Sequence, residues 1–168
     1  MKGPAGFNIK DRQARIYGTG ENALYWTPLS VIGKAVVSML EKNEAVANRG
    51  LFISPFAPGA LTQNKLLATL EKVLDAKFEV TKVDIAEINR NAKISLEKGE
   101  FRKAMRGFTF TNQFYEKDCG NNLEGMTEND LLGIEEMSVE EAVKQALEIY
   151  GTDCQAVESM FKVDASQV

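Results

Sequence analysis

The 168-residue chain contains no histidine. This removes the usual general base at neutral pH, the commonest metal ligand and every triad built on imidazole. Two cysteines, Cys119 and Cys154, lie far apart without C-x-x-C spacing. They read as free thiols of a reducing compartment, not as a redox or zinc motif. No stretch nears the roughly 20 apolar residues of a membrane span. No charged-then-apolar signal segment opens the chain. A cytoplasmic protein with no membrane partner is expected. The net charge of −4 argues against nucleic acid as well. Arg90, Lys93, Lys98, Arg102, Lys103 and Arg106 do cluster, but Glu87, Glu97 and Glu100 alternate with them. Mixed signs of this kind mark a solvated helix face.

What is present is ordinary for a globular domain: 44% hydrophobic and 26% charged residues. The length predicts a single domain over residues 1–151 with a tail over 152–168, where one further helical turn around Val157, Met160 and Phe161 is expected. The stretch from Tyr25 to Phe56 organises the rest. Thr27 and Pro28 open a helix, with Thr27 as N-cap and Pro28 in the first position. Leu29, Ile32, Val36 and Leu40 recur at helix spacing, and Val37 and Met39 widen the stripe. Leu51, Phe52, Ile53 and Ser54 are then apolar without alternation and end at Pro55. Such a run predicts a strand covered on both faces, as in a parallel sheet.

Ala14 to Tyr17 alternates like a strand, and Gly18-Thr19-Gly20 ends it in a turn. The two glycines give only G-x-G, without the third glycine of a dinucleotide loop. Thr62 caps a helix holding Leu66, Leu67, Leu70, Val73 and Leu74. Phe78 to Val83 alternates as a strand with one solvated face. Asp84 with Glu87, and Ser138 with Glu141, are capping-box signatures for two more helices. Between them, Phe101 to Tyr115 reads as an aromatic-rich helix, and 117–125 as a polar loop.

Several segments, in order, resemble the C-terminal part of the NmrA-like and isoflavone-reductase-like family, an atypical branch of the short-chain dehydrogenases, and its fungal members above all. They are Gly6-Phe7-Asn8-Ile9-Lys10-Asp11-Arg12, Ala14-Arg15-Ile16-Tyr17-Gly18-Thr19-Gly20, Ile32-Gly33-Lys34-Ala35-Val36, Asn48-Arg49 before Leu51-Phe52-Ile53-Ser54, Leu61-Thr62-Gln63-Asn64-Lys65-Leu66, and Phe114-Tyr115-Glu116-Lys117-Asp118. The resemblance covers about residues 6 to 147. It departs at Pro28-Leu29-Ser30, where the family carries an acidic residue, at Ala57-Pro58-Gly59-Ala60, and after Gly151.

The resemblance implies an α/β fold: a remnant of a parallel Rossmann-type sheet plus the small substrate lobe of the family. The family uses NADPH, held by an N-terminal glycine-rich half whose motifs this sequence does not contain. No cofactor is therefore expected to be bound by this chain alone, and redox chemistry without its hydride donor is not expected of it. What remains is a small-molecule ligand, aromatic or polyketide-like. Tyr25, Trp26, Phe108, Phe110, Gln113 and Phe114 are the candidate binding residues. Tyr115, Glu116 and Asp118 are the candidate proton-transfer groups for an isomerisation or cyclisation. The alternatives are part of an NAD(P)H-dependent reductase, or a regulatory module with a protein partner. An open edge at residues 51–54 predicts either a homodimer that covers it or a rearranged single domain.

Overall fold

The computed structural model describes residues 6–115 and 123–153. The fold is mixed α/β. Its elements run β1 (Phe7–Asn8), β2 (Gln13–Tyr17), α1 (Leu29–Glu41), α2 (Asn43–Val46), α3 (Gln63–Leu74), β3 (Glu79–Val83), α4 (Ile85–Glu97), α5 (Phe101–Phe114), α6 (Asn129–Leu132) and α7 (Val139–Tyr150). The sheet has the order β1-β2-β3. β1 meets β2 antiparallel, and β2 meets β3 parallel with Ala14 opposite Val80.

Side chains of opposite parity on β2 feed two separate cores, because successive residues of a strand face opposite sides. Ala14 packs with Leu70, Phe78 and Val143, placing α3 and α7 on one face. Tyr17 packs with Ile85, Ile88, Phe110 and Phe114, placing the α4/α5 pair on the other. The small buried residues Ala92, Ser95, Ala104 and Gly107 let α4 and α5 approach closely. A third cluster, Ala35, Val46 and Leu132, joins α1, α2 and α6.

Three predicted caps form. Thr62 Oγ1 accepts the Lys65 amide at 3.1 Å, Asp84 Oδ1 the Ala86 amide at 2.8 Å, and Ser138 Oγ the Glu141 amide at 3.1 Å. Thr27 does otherwise. Pro28 flanks α1 without any side-chain cap, and the Thr27 hydroxyl donates to the Ile53 carbonyl at 3.1 Å.

Two expectations are overturned. Residues 51–54 form no strand: Phe52 makes only an isolated parallel bridge to Thr127 and is 46% exposed. Leu51 and Ile53 pack against the α1/α6 cluster from one side, and the buried Pro55 ends the run. The parallel pairing belongs to β2 and β3 instead. Secondly, α1 turns its predicted stripe outward. Val31 and Ala35 are buried, whereas Leu29, Ile32, Val36, Val37 and Leu40 are exposed. The expected turn around Val157 lies outside the described residues, as do Cys119 and Cys154.

Candidate functional site

Residues 51–56 owe their course to one side chain. The Asn129 carboxamide meets the Ser54 main chain twice: Nδ2 donates to the carbonyl at 2.6 Å, and Oδ1 accepts the amide at 3.2 Å. The Glu128 amide donates to the Phe52 carbonyl at 2.9 Å, and the Met137 amide to the Pro55 carbonyl at 2.7 Å. Beside Phe52, Arg49 and Glu128 form an ion pair. The Ser54 hydroxyl then turns the chain, accepting the Phe56 amide at 3.4 Å. This leaves a half-open cleft of about 160 Å³ between residues 54–58 and 123–129.

The cleft has an apolar floor and a polar rim. Phe56 forms part of the floor and also belongs to the aromatic core, and Pro55 and Leu123 flank it. Tyr25, Thr127 and Glu136 supply the polar rim. Proline on one wall holds the backbone with little freedom to lose when a ligand binds. No group of three His, Cys, Asp or Glu stands close enough among the described residues to hold a metal.

Of the predicted site residues, Tyr25 lines this cleft. Trp26 is half-buried and meets Phe114 edge-on at 6.3 Å. Phe114 stacks on Tyr17 at 4.5 Å, and Phe110 lies 5.3 Å from Tyr17. Phe110 and Phe114 are thus buried in the core between β2 and the α4/α5 pair. Phe108 and Gln113 are half-buried on α5. Tyr115 ends α5 as its C-cap and is 41% exposed. Glu116 and Asp118 lie outside the described residues. Among the described predicted residues, Tyr25 lines this cleft and the other residues do not.

Sequence reasoning missed Ser54, Asn129 and Glu136. The one local signal for Asn129 is its position at the start of a short helical turn. Its contact with Ser54 crosses 75 residues and leaves no periodic trace.

Strong electrostatic perturbation occurs elsewhere. Glu140 is held down to about 2 by hydrogen bonds from Lys144 and Lys72, at 2.7 and 2.6 Å. Glu71 is lowered by Lys77 and by the Phe78 amide. Both are tied to lysine on the α3/α7 side, and neither lines the cleft. They are stabilising ion pairs, not poised acids.

No protein-family model, curated protein or solved structure matches the chain.

Proposed function

We propose that the chain is a small-molecule-binding protein that takes one flat, carbon-rich end of an aromatic or polyketide-like metabolite in the cleft. The observation that carries this reading is the pairing of an apolar floor, Phe56 and Pro55, with a polar rim at Tyr25, Thr127 and Glu136. Small-ligand sites combine those two features: apolar lining for affinity, a few polar groups for orientation. The resemblance to the C-terminal part of NmrA-like reductases supports the same ligand class and a Rossmann-derived ancestry. On this reading, Tyr25 and Glu136 are the rim groups that meet the polar atoms of the bound ligand.

A second reading is favoured by one measurement. The cleft, at about 160 Å³, is smaller than the roughly 300–1,000 Å³ of ordinary ligand sites. A ligand seated in it protrudes, as expected if the chain is the substrate lobe of an NAD(P)H-dependent reductase whose dinucleotide half closes the site.

Trp26, the single tryptophan, follows Tyr25 in the chain and packs against the aromatic core that includes the cleft residue Phe56. Its fluorescence is to be titrated with a panel of flavanone- and polyketide-type aryl ketones, with and without NADPH. Saturable quenching that ignores NADPH and disappears in Tyr25→Ala supports the binding protein. Quenching that requires NADPH supports the reductase lobe. No saturation in either series overturns both.

A further inference from the structure

α1 is apolar on two opposite faces. Val31 and Ala35 pack into the domain. On the other side, exposure runs from 40% at Ile32 to 74% at Leu40, with Leu29, Val36 and Val37 between. A second apolar face on a helix, opposite the one that packs into the domain, is a surface that a partner normally covers. None of the described residues covers the outer face. Together with Gly33, these side chains follow i, i+3, i+4 spacing and make one unbroken stripe along the helix.

We propose that this stripe is the contact surface for a second copy of the chain, with the two α1 helices antiparallel about a two-fold axis between Lys34 and Ala35. The positions of the stripe are mirror-symmetric about that point. Outward in either direction, Val36 mirrors Gly33, Val37 mirrors Ile32, and Leu40 mirrors Leu29. A two-fold interface needs such self-complementarity, because each residue must suit its mirror position on the other copy.

Three further observations fit the same occupant. A Cβ built on Gly33 meets nothing within 4 Å, so the glycine leaves an open notch. Antiparallel pairing brings the partner's Val36 to that notch, and the knob enters the hole. The only charges within α1 are Lys34 and Glu41, which cancel, so two copies meet without an excess of one sign. The first turn of α1 carries no acidic residue and no side-chain cap. The pairing delivers the partner's Glu41 to that end, where a carboxylate is favoured by the helix dipole. The exposed stripe offers on the order of 500 Å² per copy, the upper range of apolar patches on monomers. This interface differs from the edge at residues 51–54, which the loop at 127–129 already meets.

The test is the solution mass of the full chain by sedimentation velocity over a wide concentration range. The expected result is a species of twice 18.6 kDa that dissociates on dilution. Val36→Glu alters a side chain exposed in the monomer. It should leave the circular dichroism unchanged and weaken dimerisation about a hundredfold or more, since two unpaired carboxylates are then buried. Orientation is read by cross-linking in a background with Cys119→Ser and Cys154→Ser. A mixture of Leu29→Cys and Leu40→Cys chains, treated with oxidised glutathione, should form disulfide dimers far faster than either variant alone. A monomer at every concentration overturns the proposal. So does a dimer indifferent to Val36→Glu, or equal cross-linking of each variant by itself.

Discussion

The Gln63 carboxamide stands beside Tyr17 as if it were a peptide group of a neighbouring strand. Its Oε1 accepts the Tyr17 amide at 2.9 Å, and its Nε2 donates to the Arg15 carbonyl at 3.1 Å. β1 pairs with β2 as far as Ala14, the Arg15 amide still reaches the Gly6 carbonyl at 2.7 Å, and beyond that Gln63 prolongs the edge. The side chain is 1% exposed. Gln63→Leu takes this partner from two main-chain groups in a buried setting and should cost about 2–4 kcal/mol. Urea unfolding measures it; an unchanged midpoint would refute the strand-mimic role.

Phe114 distinguishes core from pocket. It is 1% exposed, stacks on Tyr17 and touches Trp26 edge-on. Phe114→Ala should destabilise by about 3–5 kcal/mol and shift the emission of Trp26. If Phe114 lined an open ligand site instead, the variant would keep near-normal stability and lose only binding.

Gly20 is fixed by its surroundings. Its φ is +75°, and an added Cβ would stand 2.5 Å from Ile16 Cγ2 and 2.6 Å from Asn64 Oδ1. Gly20→Ala should cost about 2 kcal/mol or more, combining left-handed strain with a clash. Gly50→Ala meets nothing within 4 Å and should stay within about 0.5 kcal/mol of the parent. Thermal melts of the two variants side by side decide this; equal melts would contradict it.

Acid should loosen the α3/α7 contact. Glu140 sits near 2 in the folded protein against an ordinary value of 4.5, held there by Lys144 and Lys72. A depressed carboxyl adds stability above its unfolded value and loses it as pH falls through the folded one. Glu71, lowered by Lys77 and the Phe78 amide, acts in the same direction. The urea midpoint should therefore decline between about pH 4.5 and pH 2, and the slope should flatten in Glu140→Gln. High salt should flatten it too, since these pairs are exposed. Parallel pH profiles for the variant and the parent would exclude Glu140 as a source.

The legible features were local ones. The caps at Thr62, Asp84 and Ser138 depend on residues two or three positions away, so their spacing in the sequence is their geometry. β2 and α5 also followed from short periodic patterns; β3 followed as a strand, but its residues 79–82 are exposed on both faces, not on one, because it lies at the edge of the sheet. The errors arose where distant chain decides. Residues 51–54 are apolar enough for a covered strand, but their partner is a loop around Thr127, and one side stays open. α1 has apolar residues on both faces, so periodicity located the helix without telling which face turns inward. The aromatic residues of α5 were legible as a cluster. Whether they line a cavity or fill a core depended on Tyr17, which stacks on them from β2 and which spacing along α5 does not reveal. Ser54 and Asn129 belong to the cleft wall through a contact that spans 75 residues.

The parallel register of Ala14 with Val80 has a consequence in time. During synthesis β2 leaves the ribosome well before β3 exists, about sixty residues earlier, or roughly 3–12 s at usual elongation rates. A bare strand waiting that long is prone to mispairing. Gln63 emerges before β3 and can grip Tyr17 and Arg15 from the opposite edge. Gln63 is synthesised about forty-six residues after Tyr17 and sixteen before Glu79, so for most of that wait β2 has neither its side-chain partner nor its parallel neighbour.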